Sequence, residues 1–119
     1  GTLTLKDLNN KLKKYVLKKR AFISFFQSNE EGKIVNAIHN AREKQNAIII
    51  NAGAFTHTSI AILDALETFE GLIYEVHISN IYCRESYRRN SYISKVSSGV
   101  ICGLGALGYE IAIEAILHN

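Results

Sequence analysis

The sequence predicts an α/β domain in which a parallel sheet is covered by helices on both faces. Three observations carry this expectation. Short β-branched or apolar runs at residues 47–51, 72–77 and 99–102 are bounded by Gly, Asn or Ser, the pattern of strands buried on both faces. Apolar residues at helical period separate them, as at residues 59–68. Helix and strand alternate along the chain, and such alternation gives parallel strands joined by right-handed crossovers.

The elements follow in order. Leu3-Thr4-Leu5-Lys6-Asp7-Leu8 reads as a helix start, with Thr4 as N-cap, Asp7 completing a capping box, and Leu3 placed to staple onto Leu8. Leu5, Leu8, Leu12, Tyr15 and Val16 form one apolar stripe, and this helix is expected to end near Arg20. Residues 21–27 (Ala-Phe-Ile-Ser-Phe-Phe-Gln) predict a strand from their β-branched and aromatic content. Ser28-Asn29-Glu30-Glu31 supplies the next cap, with acids where the helix dipole favours them, and Ile34, Val35, Ile38 and Ala41 face inward. A strand at 47–51, a helix at 59–68 and a strand at 72–77 come next. Between residues 81 and 97 the pattern weakens, and Arg84, Arg88 and Arg89 fall on one or two helical turns. A short strand at 99–102 and an amphipathic helix at 107–117 close the order. Opening on a helix is unusual, because a doubly wound α/β domain normally opens on a strand.

The 119 residues suit one domain. No apolar run approaches the roughly 20 residues of a membrane span, and the polar start does not read as a signal peptide. Cys83 and Cys102 lack metal-like spacing, so reduced thiols and a cytoplasmic location are expected. The net charge of +3 is small. Most lysines cluster from Lys6 to Lys19 on one helix, which fits a solvated face better than a nucleic-acid surface.

The chemistry concentrates in Ile48-Ile49-Ile50-Asn51-Ala52-Gly53-Ala54-Phe55-Thr56-His57-Thr58-Ser59, where a buried run opens into a glycine-containing loop with a histidine. Ligands of open α/β sheets bind at the carboxyl ends of strands, and residues 72–77 repeat the arrangement with His77 followed by Ile78 and Ser79. Asn51, His57, His77, Ser79 and an arginine cluster therefore share one rim, suited to a small polar or anionic ligand. Glu75 lies two residues before His77, so both side chains leave a strand on the same face. A carboxylate there fixes the imidazole tautomer and raises its basicity, as a proton-transfer residue needs; the plainer reading is a rim ion pair. His39 and His118 read as solvated. Asp64 stands seven residues after His57, about 10 Å along a helix axis, which disfavours a His-Asp dyad and leaves an acid in an apolar helix that needs a partner, another subunit among the choices. Residues 103–108 spell GxGxxG, yet the dinucleotide fingerprint also needs a later strand and acid, so tight turning and close packing explain the glycines. Zinc, Walker and G-x-S-x-G patterns are missing.

Several blocks together resemble one family: residues 26–32 (Phe-Gln-Ser-Asn-Glu-Glu-Gly), 50–59, 61–65 with Asp64, 75–80 (Glu-Val-His-Ile-Ser-Asn), 84–92 (Arg-Glu-Ser-Tyr-Arg-Arg-Asn-Ser-Tyr) and 103–109. In this order, over nearly the whole chain, they resemble the type II 3-dehydroquinate dehydratases, with Ala52 where a proline is common. The resemblance implies a flavodoxin-like three-layer sandwich with a parallel sheet. It implies anti elimination of water from 3-dehydroquinate through an enolate to 3-dehydroshikimate, in the shikimate or quinate pathway, with no metal or organic cofactor. It makes His77 the general acid, with Glu75 behind it. Asn51, His57 and Arg88 would hold substrate hydroxyls, and the Ile78 and Ser79 amides the carboxylate. Asp64 would reach the active site of a neighbouring subunit in trimers stacked into dodecamers.

The resemblance also implies that the family's first strand, its Asn-containing loop and a lid with an arginine and the tyrosine base precede Gly1, so that residues 1–119 form a single catalytic domain without them. The competing expectation is a non-catalytic flavodoxin-like module that binds a small anion or a partner protein.

Overall fold

The computed structural model describes residues 3–119. Helices α1 (Leu5–Lys18) and α2 (Glu31–Ala41) precede strand β1 (Ala47–Ile50); then come α3 (Ile60–Glu67), β2 (Leu72–His77), β3 (Gly99–Cys102) and α4 (Leu107–Leu117). The sheet is parallel with order β1-β2-β3, pairing Ile48 with Ile73 and His77 with Cys102. Alternate β1 residues enter different layers, as a two-residue period requires. Ile48 and Ile50 join Ile38 of α2, Ile62 and Leu66 of α3, Ile73 and Ile93, whereas Ile49 joins Leu12 and Val16 of α1 and Ile113 of α4. Helices thus cover both faces of the sheet.

Thr4 caps α1 in a full capping box with Asp7. The helix ends two residues before Arg20, which turns the chain at φ 60°, and Leu5 of the expected stripe is half exposed. Tyr15 donates to the Glu114 carboxylate, joining α1 to α4. That hydrogen bond, burial and the nearby acids push its phenol up to about 12. Of the lysine face, Lys11 and Lys19 reach Glu110 and Glu114 of α4.

One expectation fails here. Residues 21–27 are not a strand, although alternation survives: Ala21 and Ile23 lean on the α1/α4 cluster while Phe22 is 93% exposed. Strand propensity needs a neighbour's ladder to become a strand, and among the described residues β1 pairs only with β2. Within the expected capping segment 28–31 the N-cap of α2 is Glu30, whose N–H donates to the Ser28 hydroxyl at 3.0 Å. By contrast Ser59 caps α3 through the Ile62 N–H. Residues 81–97 resolve into three 3-10 turns, at Ile81–Cys83, Ser86–Arg88 and Ile93–Lys95.

Candidate active site

At the carboxyl end of the sheet lies an open cavity of about 350 Å³ lined by Asn51, Gly53, Ala54, His57, His77, Ile78, Ser79, Ile81, Arg84 and Arg88. Strand geometry places most of this set. β1 and β2 run parallel, Ile50 pairing with Glu75, so the loop after Ile50 and the residues after His77 open on the same rim. Gly103, at φ 80°, passes so close to Asn80 that a Cβ would meet the Asn80 Cβ at 3.2 Å. This approach lets the Gly103 and Gly105 amides donate to the His77 and Ile78 carbonyls at 3.1 and 3.0 Å, fixing the backbone of the rim.

The two imidazoles stand nearly parallel, with ring centroids 6.4 Å apart. His57 Nδ1 lies 2.9 Å from the Asn90 carbonyl. A carbonyl only accepts, so Nδ1 carries the proton and Nε2 of the neutral ring is left as an acceptor. His77 Nε2 pairs with the buried Glu75 carboxylate. Among the described residues its Nδ1 has no partner, which leaves that nitrogen for the cavity. Burial pushes the Glu75 carboxyl up, but hydrogen bonds from His77, Ser94 and Ser91 outweigh it and hold the group below the usual carboxylate range. The Glu75 charge is therefore retained behind His77.

Asn51 is held at both ends of its amide: Nδ2 donates to the Tyr109 hydroxyl at 2.9 Å, and Oδ1 accepts the Gly53 N–H at 3.3 Å. Arg88 is oriented by Glu85, whose carboxylate accepts from Nε at 2.8 Å, so the terminal nitrogens of its guanidinium remain available. Arg84 also lines the cavity, and among the described residues it makes no ion pair. With two guanidiniums and two imidazoles on its wall, the cavity favours an anion. Among the described residues no group of three or more His, Cys, Asp or Glu side chains gathers to hold a metal ion.

Of the residues singled out from the sequence, Asn51, His57, His77, Ile78, Ser79 and Arg88 line the cavity, with Glu75 directly behind His77. Asp64 does not. It is exposed on α3, so water satisfies it and the desolvation argument for a partner does not hold within one chain. Sequence reasoning did not single out Arg84 within the arginine cluster, nor Ser91, Ser94, Asn90 and Tyr109, which orient the site from segments distant in the chain. No periodic signal marks such residues.

The family sequence model for dehydroquinase class II matches residues 1–117. A 3-dehydroquinate dehydratase of Clostridium botulinum is 50% identical over all 119 residues, which span 81% of that relative. One of Cereibacter sphaeroides is 47% identical over 98% of the chain and 79% of its own length. Among solved structures, a type II dehydroquinase from Propionibacterium acnes superposes with TM-score 0.95 at 36% identity, covering all of this chain and 82% of that one. The flavodoxin-like α/β architecture is the one these enzymes share, and the chain belongs to the class II dehydroquinase family.

Proposed function

We infer that the protein is a 3-dehydroquinate dehydratase, a hydro-lyase that removes water from 3-dehydroquinate to give 3-dehydroshikimate. The observation that carries this reading is the convergence, on one cationic cavity in a chain of this family, of a carboxylate-backed imidazole with a second imidazole, an amide and two guanidiniums. A binding module would not need a buried, ionised carboxylate behind one histidine.

The elimination needs a base to take a proton beside the ketone and an acid to protonate the departing hydroxyl. His77 is the acid: Nδ1 delivers the proton, the hydroxyl leaves as water, and the Glu75 carboxylate favours the imidazolium that precedes transfer. His57, an acceptor at Nε2, takes a substrate hydroxyl as donor, and Asn51 and Arg88 hold the others. The Ile78 and Ser79 amides receive the carboxylate at the strand end. The enolate formed on proton removal collapses as the carbon–oxygen bond breaks on the opposite face. No step draws on a metal or organic cofactor.

The base is a tyrosine on a lid that also carries an arginine. The chain spans about four fifths of the length of these relatives. The active form is a homo-oligomer of trimers stacked into dodecamers, in which Asp64 reaches a neighbouring site. The exposure of Asp64 and of the adjoining Ile60 supports this, because both are free for a contact. The enzyme works in the cytoplasm, a reading supported by the free thiols of Cys83 and Cys102.

The test is formation of the conjugated enone, followed by its ultraviolet absorption. His77→Ala in the intact natural enzyme lowers turnover by about a hundredfold or more, the scale of a general acid, with a smaller change in KM. An unchanged rate would remove His77 from the role.

A further inference from the structure

Burial favours the neutral form of a carboxylic acid, yet Glu75 serves His77 only while charged and aimed. Two hydroxyls reach it from outside its strand. Ser91 Oγ lies 2.9 Å from Oε2, the oxygen that also takes His77, and Ser94 Oγ lies 2.6 Å from Oε1. A carboxylate only accepts, so both hydroxyls donate. The Ser91 rotor is fixed as well: its Oγ accepts the Ser94 N–H at 3.0 Å, which leaves its own proton for Glu75. Both serines sit on a rigid piece of chain, since Ile93 between them is fully buried in the core. The same strip reaches the second imidazole, through the Asn90 carbonyl on His57 and the Tyr92 N–H donated to the Thr56 carbonyl at 3.0 Å. Neither serine lines the cavity.

We propose that Ser91 and Ser94 are positioning residues for the dehydration, holding Glu75 ionised and oriented so that His77 keeps its proton until the substrate hydroxyl departs. The proposal rests on the reading of His77 as general acid. The serines make and break no bond in the substrate; the proton passes from His77 to the leaving oxygen, and neutral imidazole remains hydrogen-bonded to Glu75. The groups facing His77 are Glu75 on its own strand, His57 from the loop after β1, Arg84 and Arg88 across the cavity, and Cys102 paired with it on β3. The guanidiniums oppose an imidazolium, so Glu75 is the group of this set that sustains it. Without the two hydroxyls, Oε1 has no donor and Oε2 keeps one.

The experiment compares the natural enzyme with Ser91→Ala/Ser94→Ala and with Ser94→Thr, which retains the hydroxyl. The His77 imidazole is titrated by NMR without substrate, and kcat and KM are measured across pH. In the double variant the His77 midpoint falls by about one pH unit, which costs about tenfold in kcat on the alkaline limb. KM stays within about twofold, because the serines act through His77 and not on bound substrate. Ser94→Thr restores the natural profile. An unchanged His77 titration in the folded double variant overturns the proposal, as does a loss carried by KM with an unmoved pH profile. If the double variant does not fold, Ser94→Ala is read by the same criteria, since it removes the one donor to Oε1. A shifted titration alongside full turnover by His77→Ala supports the serines' hold on His77 and overturns the acid assignment itself, so the two failures are separable.

Discussion

At the scale of single residues, the site is governed by one buried carboxylate that remains charged. Burial raises the Glu75 pKa, and the hydrogen bonds of His77, Ser94 and Ser91 bring it below the ordinary 4.5. A folded-state value below the unfolded one contributes stability above the unfolded value, and that contribution is lost as pH falls through the lowered folded value. The natural protein therefore loses stability more steeply below about pH 4.5 than Glu75→Gln does, in urea unfolding followed by circular dichroism at each pH. Parallel curves would show that Glu75 is not held ionised. The pairing of Glu75 with His77 was legible in the sequence, because two-residue spacing on a strand puts both on one face. Ser91 and Ser94 were not, because their reach to Glu75 depends on how 3-10 turns fold back over the strand end.

At the scale of elements, propensity decided helices better than strands. α1 carries its own cap and stripe, and its bounds follow from local chemistry. Residues 21–27 have the composition of a strand yet lack a ladder, since a strand makes its backbone hydrogen bonds with a neighbour and a helix makes them within itself. The glycines of 103–108 were read as serving tight turning and close packing, and Gly103 and Gly105 turn at φ 80° and 60°. A Cβ on Gly108 would lie 3.1 Å from Val76 Cγ1 and 3.4 Å from Ile101 Cγ2, so α4 sits close on β2 and β3. Val76 is fully buried and has little room to yield. Gly108→Val is expected to destabilise the fold by about 1–3 kcal/mol through overpacking, measured as a lower urea midpoint. An unchanged midpoint would mean that the α4–sheet interface has slack.

At the scale of the whole molecule, one face concerns assembly. Asp64 and Ile60 present a polar and an apolar group together on α3. Asp64→Ala is expected to weaken assembly or substrate affinity, and sedimentation at matched concentrations showing an intact oligomer with normal affinity would contradict this.

The sequence by itself determined the α/β class, the three parallel strands, the four helices with the cap at Thr4, and the shared face of Glu75 and His77. These are set by short-range periodicity and by local hydrogen bonding, which operate within a few residues. Only the tertiary structure decided that residues 21–27 stay unpaired, that Arg84 and Arg88 line the cavity, and that Asp64 faces solvent. It alone decided that Asn90, Ser91 and Ser94 brace both histidines. Those outcomes depend on which segments meet across the sheet, and contacts between residues far apart in the chain leave no period in the sequence to read.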